Sequence, residues 1–189
     1  MMVNSFEISD SLQLIPLAPE KVAEAHQKTD ARIWLDLQIS EPGELEAWLD
    51  KLRVEDLSRR LCLEAGDRSG FYPLKKEIFF VIPVLTGTAG RPSRDYAAFL
   101  CRENLLLTLH AQPILNPQEI ATLHQADAWL PDRSVAGLVS AVIMDLSGEC
   151  LRYIADLRSL VFALEERMDR EPDAVEAEEI LEVRSDLMM

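Results

Sequence analysis

The sequence carries neither phosphate-cradling glycine pattern, GxGxxG or GxxxxGK[ST], and no GxSxG nucleophile turn; its seven glycines are scattered. Such loops present the backbone N–H groups that hold phosphates or an oxyanion, so nucleotide and serine-hydrolase chemistry have no support. Cysteine is scarce. Cys62, Cys101 and Cys150 are widely spaced, odd in number and without CxxC spacing, which argues against a disulfide framework or a zinc knuckle. They read as buried thiols of a reducing compartment. The three histidines, His26, His110 and His124, share no HxxxH or HExxH spacing, the pattern that puts two metal ligands on one helix face. Positive charge is also short: 19 Lys and Arg against 33 Asp and Glu leave a net charge of −14. That balance opposes nucleic acids and anionic membranes. The longest apolar run, Ile78 to Leu85, is eight residues and contains Pro83, whereas a membrane-spanning helix needs about twenty. The first residues, MMVNSFEISD, lack the basic and apolar regions of a signal peptide. These residues are therefore expected not to cross a membrane, and no cofactor or enzymatic activity is expected. Cys101 and His110 flank one predicted hairpin, but no orienting third group accompanies them, and packing roles are expected for both.

What is present is a chain that is 48% hydrophobic, enough to bury a substantial core. SFEI and LQLIPL are short and strand-compatible. Arg32–Gln38 places Ile33, Leu35 and Leu37 on one face and Trp34 on the other, as a largely buried strand does. Ser40, Glu41 and Pro42 open a helix, whose Leu45, Trp48, Leu49 and Leu52 form an apolar stripe. A second short helix is predicted over Glu55–Glu64, with Leu57, Leu61 and Cys62 inward. Two strands, FYPL and EIFFVIPVLT, precede a polar loop, GTAGRPSRD. The strands YAAFLC and LLLTLH then form a hairpin around Arg102–Glu103–Asn104, where Asn suits positive φ. The second half is helical. One helix runs from Asn116–Pro117 to near Trp129–Leu130. A long one over Ser134–Asp169 carries Val135, Leu138, Val142, Leu146, Cys150, Tyr153, Leu157, Leu160, Leu164 and Met168 at 3–4 spacing, about 50 Å of helix. Pro172 interrupts it and Asp173 starts a returning helix. The predicted fold class is α/β: an α/β/α sandwich with a mixed, partly antiparallel sheet of about six strands, followed by a long acidic helical hairpin. Its domains are expected at 1–131 and 132–189.

The acidic bias is steepest in this hairpin. Glu165, Glu166, Asp169, Glu171, Asp173, Glu176, Glu178, Glu179 and Glu182 are opposed only by Arg167 and Arg170. Carboxylates are the ligands that hard cations such as Mg²⁺ prefer, often through retained waters. A solvated helix face explains the same pattern, and spacing alone names no metal ligand.

The order WLDLQ, EPGELEAWLDKL, EIFFVIPVL, FLCRENLLLTLH and then a long acidic helix resembles the cytoplasmic domain of the CorA family of divalent-cation transporters. The likeness runs from about Arg32 to the last residue. It implies an α/β/α domain on the cytoplasmic side of the inner membrane, built into a pentameric funnel that conducts Mg²⁺ or Co²⁺, or Zn²⁺ in the related ZntB branch. The family's conducting part is two C-terminal membrane helices with a Gly-Met-Asn tripeptide, which do not occur here. The final helix has no stop signal, and the natural chain is expected to continue; a fragment ending there is expected to pair as a dimer. The family also bears a His-Pro-Leu-x-x-Glu-Asp motif whose carboxylates bind a regulatory cation. In the matching segment, VEDLSRRLCLEAGDR, Leu57 fits, but Arg60 and Leu61 stand where the carboxylates belong, with Glu55 and Asp56 earlier. That site is not transferred. The alternative to a transporter domain is a stand-alone metal-sensing or assembly module.

Overall fold

In this computed structural model, residues 2–66, 69–88, 91–123, 132–171 and 175–187 are described. Two compact units divide the chain: Met1–Pro83 with Asp95–Asp145, and Val84–Arg94 with Leu146–Met189.

The chain forms one sheet of seven strands, one more than expected. They are β1 (Met2–Ile8), β2 (Leu14–Pro16), β3 (Ile33–Gln38), β4 (Gly70–Pro73), β5 (Ile78–Thr88), β6 (Arg91–Cys101) and β7 (Leu105–His110), in the order β2-β1-β3-β7-β6-β5-β4. Most of the sheet is in the first unit; the adjoining ends of β5 and β6, within Val84–Arg94, belong to the second. β3 and β7 run parallel, with Ile33 beside Leu105 and Gln38 beside His110. The pairs β1–β2, β1–β3, β4–β5 and β6–β7 are antiparallel. The sheet is thus mixed, as the sequence implies. A parallel pair needs a crossover, and the helices α2 (Pro42–Lys51) and α3 (Asp56–Leu63) lie in the chain between β3 and β7.

Side chains alternate across the sheet. Ile33, Leu35 and Leu37 of β3, Leu105, Leu107 and Leu109 of β7 and Leu100 of β6 form one core with Leu45, Trp48 and Leu49 of α2, Leu52 just after it and Cys62 of α3. Each such Leu contributes about 1.5–3 kcal/mol when fully buried. On the other face, the ring of Phe6 lies 5.6 Å from Trp34, and Phe80 stacks on Phe99 at 4.6 Å. The first turns of α5 (Val135–Arg170) approach Phe80 and Cys101 on that side. Helices therefore cover both faces, and the α/β/α sandwich stands.

Three local expectations change. Leu57 is 48% exposed while Ser58 is buried, because α3 turns its hydroxyl inward to the Glu77 carboxylate. Asn104 does not take positive φ; among the described non-glycine residues only Leu12 and Arg53 do. Its amide instead donates to the carbonyls of His26 at 2.8 Å and Lys28 at 3.3 Å. The segment GTAGRPSRD is drawn into strands on both sides of residues 89–90, and Thr86 Oγ1 donates to the carbonyl of Ser93 at 3.3 Å. Pairing with a partner strand overrides weak intrinsic strand preference there.

The helix expected from Asn116 is seen as α4 (Pro117–Leu123); its remainder, with His124, lies outside the described residues. The long helix matches its expected limits within a residue. Val135, Leu138, Val142, Leu146, Tyr153, Leu157 and Leu164 of its predicted stripe are buried, and Met168 is 43% exposed. The second unit adds α6 (Ala177–Leu187). No described helix is long and apolar enough to cross a membrane.

Candidate functional site: an acidic helical arm and two buried polar networks

The acidic residues fall where the sequence places them. Glu165, Glu166 and Asp169 are exposed on the last turns of α5, and Glu171, Glu176 and Glu178 are exposed beyond it. Asp173 and the side chain of Glu182 lie outside the described residues. Arg167 clamps Glu179 in a two-pronged bond (Nη1 to Oε2 at 2.6 Å, Nη2 to Oε1 at 3.1 Å), joining α5 to α6 within the second unit. This hydrogen bond, with that from the Glu176 backbone N–H, holds the Glu179 carboxyl below its ordinary value. Glu179 is the third residue of α6, and its reach back to the Glu176 N–H at 3.3 Å is half of a capping box. Arg170 pairs with Glu166 one turn back. Both arginines are thereby engaged with carboxylates, and the other acids remain toward solvent. Among the described residues no three His, Cys, Asp or Glu side chains converge to ligate a metal directly.

The helix that resembles the family's regulatory motif is equally informative. Arg59 pairs with Asp50 of α2, and Arg60 and Asp56 are exposed. Glu55 lines an open recess of about 530 Å³ with Arg53, Lys76, Glu77, Arg102, Glu103 and Asn104. Acidic and basic side chains are thus mixed around it.

His110 belongs to a network that sequence spacing did not reveal. Its Nε2 lies 3.0 Å from Asp36 Oδ1, and its Nδ1 lies 2.5 Å from the carbonyl of Gln112. Both ring nitrogens face oxygen atoms, an arrangement that favours the doubly protonated ring. Burial alone would lower the pKa of His110; the hydrogen bond and charge of Asp36, with the bond to Gln112, outweigh it, and the net shift is upward. Thr108 donates to the same Asp36 oxygen at 2.5 Å and accepts from Trp34 Nε1 at 3.1 Å, and Asn4 reaches Asp36 Oδ2 at 3.3 Å. Asp36 and Thr108 are fully buried and His110 is 4% exposed. The sheet register makes this meeting: Asp36 is beside Thr108 and opposite Asn4. The group braces three strands and offers no exchangeable ligand position. Cys101 is opposite Leu106, at the far end of the β6–β7 ladder from His110. The two do not form a pair.

A second network closes the other end of the sheet. Arg102 Nε donates to Glu77 Oε1 at 2.6 Å, and its Nη1 donates to the carbonyl of Leu52 at 2.8 Å. Nη1 also lies 3.3 Å from His26 Nε2, which accepts as a neutral imidazole. Burial first, then the Arg102 charge, lowers the pKa of His26. Ser58 completes the shell of Glu77. The sequence signal, in hindsight, is a pair of charges, Glu77 and Arg102, abutting strongly apolar strands.

A search of curated proteins finds no match. Among solved structures the fold is similar to full-length CmaX (TM-score 0.81, 12% identity, 96% of this chain, 56% of that one). It is also similar to the complete CorA magnesium transporter from Methanocaldococcus jannaschii (TM-score 0.75, 15% identity, 100% of this chain, 57% of that one). A third likeness is to the ZntB cytoplasmic domain from Vibrio parahaemolyticus (TM-score 0.64, 15% identity, 85% and 64%). The chain thus spans a little over half the length of the first two, and at these identities the likeness establishes the fold. The family described as CorA-like Mg2+ transporter protein matches residues 30–189. With the sandwich and the long acidic helix in place, this chain belongs to the CorA-like Mg²⁺ transporter family.

Proposed function

We propose that this chain is the part outside the membrane of a divalent-cation transporter, lying on the cytoplasmic side of the inner membrane and working as a homo-oligomer, a pentamer in the complete protein. The match over residues 30–189 carries this reading. Residues 1–131 serve as its α/β body and 132–189 as its ion-facing arm. The cargo is Mg²⁺, Co²⁺ or Zn²⁺, and the acidic arm holds it as a hydrated ion, its occupancy biasing how subunits pack. Carboxylates left over after the Arg167 and Arg170 pairs support this mechanism. The absence of a carboxylate pair at Arg60 and Leu61 argues that regulation does not use the family's motif site.

Calorimetric titration with Mg²⁺, Co²⁺ and Zn²⁺, run beside sedimentation velocity, tests it. At tenfold excess over Kd, binding to the folded state adds about 1.4 kcal/mol, a rise in Tm of about 3–6 °C for a chain of this size. Replacing Glu165, Glu166, Glu176 and Glu178 by Gln is expected to abolish the rise. No bound cation near residues 165–182 at millimolar concentration, with no change in association, would refute the mechanism.

A further inference from the structure

An open groove of about 740 Å³ lies within the first unit, between the β4–β5 edge and the opening turns of α5. Its walls are Phe71, Ile78 and Phe80 on the sheet and Val135, Ala136 and Val139 on the helix. Phe71 is 65% exposed and Ile78 is 42% exposed, although apolar side chains this close together would normally be covered. Phe71 sits 6.3 Å from Phe80, which stacks on the fully buried Phe99, so a row of rings leads from solvent into the core. At the mouth stand Lys75 and Lys76, both exposed, two of only five lysines in a chain of net charge −14. Glu77, at the same mouth, is committed to Arg102 and Ser58; Glu103 is the remaining acid there. Lys76 also lines the adjacent recess of mixed charge, with Arg53, Glu55 and Glu103.

We propose that this groove binds an amphipathic anion, with an alkyl chain along Phe71, Phe80 and Val139 and a phosphate or carboxylate head on Lys75 and Lys76. The volume lies in the range of small-ligand sites. The ligand is a free amphiphile rather than a lipid within a bilayer, because the net negative charge opposes approach to an anionic membrane surface. This site is independent of the transporter reading.

The probe is dodecyl phosphate below its micelle concentration, titrated into the whole chain by calorimetry, with methyl NMR shifts followed at Ile78 and Val139. One-to-one binding is expected. Dodecanol is expected to bind at least about tenfold more weakly, since each charge-assisted contact to the head is worth more than the 1.4 kcal/mol that a decade represents. Lys75→Glu with Lys76→Glu is expected to lose about tenfold or more. Ala136→Trp, at an exposed position where folding is not at risk, fills the groove and is expected to abolish binding. Leu151→Ala, an exposed apolar position of the second unit, is expected to leave binding unchanged. Equal affinity across all variants overturns the proposal. So does flotation with phosphatidylcholine or phosphatidylglycerol vesicles in place of binding to the free probe.

Discussion

Removing the Asp36 carboxylate is expected to destabilise the sheet more than any surface change. The side chains of Asp36 and His110 are 1% and 2% exposed, so solvent screening does not weaken their interaction. Asp36→Ala removes the acceptor for Thr108 and His110 together; burial then favours the neutral imidazole, and its Nε2 is left without its partner beside a cavity. Breaking a buried pair on one side costs about 3–5 kcal/mol, a large share of the 5–15 kcal/mol that holds a typical domain. Asp36→Asn keeps the shape and one acceptor oxygen and should cost less. The pH dependence has a definite sign. The folded pKa of His110 is raised, so the folded state binds its proton more tightly than the unfolded chain does. Its contribution is fully present below the unfolded value near 6.5 and is lost as pH rises through the higher folded value. Urea unfolding at several pH values reads both effects. Wild-type stability should fall as pH rises above about 6.5, and in His110→Gln this component should vanish. A double-mutant cycle between the two positions should show coupling of at least about 1 kcal/mol. A cost below about 1 kcal/mol for Asp36→Ala, or the same pH component in His110→Gln as in wild type, would refute the paired-charge description.

Arg53 ends α2 with φ of 49°, and the bonds Val54 N to Leu49 O and Arg53 N to Asp50 O form a Schellman cap. Arg53→Gly is therefore expected to raise stability by about 0.5–1 kcal/mol, read as a higher urea midpoint at unchanged m-value; a lower midpoint counts against it. Ser58→Ala strips a donor from the buried Glu77 carboxylate and should cost about 1–3 kcal/mol, measured by the same unfolding curves. Burial pushes the thiols of Cys62 and Cys101 up to about 12. At pH 8 the buried Cys62 should resist a thiol reagent in the folded protein and react in urea, as peptide mapping after alkylation will show; its rapid native labelling contradicts the packing.

The strands were legible as short, strongly apolar runs bounded by turn signals. Ile33, Leu35 and Leu37 announce one core, and Trp34 marks the other. The 36-residue α5 was legible as a stripe sustained at 3–4 spacing. What escaped was polar. Asp36, Thr108 and His110 are far apart in sequence or separated by an apolar residue, and only the parallel register of β3 on β7 brings them together. A pattern of apolar positions carries no information on which strand becomes the neighbour. Asn104 escaped likewise: a turn residue was recognisable, but its work is long-range, through carbonyls some 76 to 78 positions away.

The acidic arm shows the converse limit. Its residues were all visible in the sequence, yet charge count alone does not separate a site from a solvated face. The geometry narrows the choice. Arg167 holds α6 on α5 through Glu179, and Arg170 holds Glu166, so the basic residues serve the hairpin's own structure. The carboxylates they leave over are exposed and, among the described residues, do not converge on a common point; the cation-holding role proposed above then has two physical routes. Either the field of the arm gathers hydrated cations, in which case affinity falls steeply with ionic strength, or copies of the arm complete a site together, in which case cation binding and association rise together with protein concentration. Titrating Mg²⁺ at two salt concentrations and two protein concentrations separates them, because the first route responds to salt alone and the second responds to both.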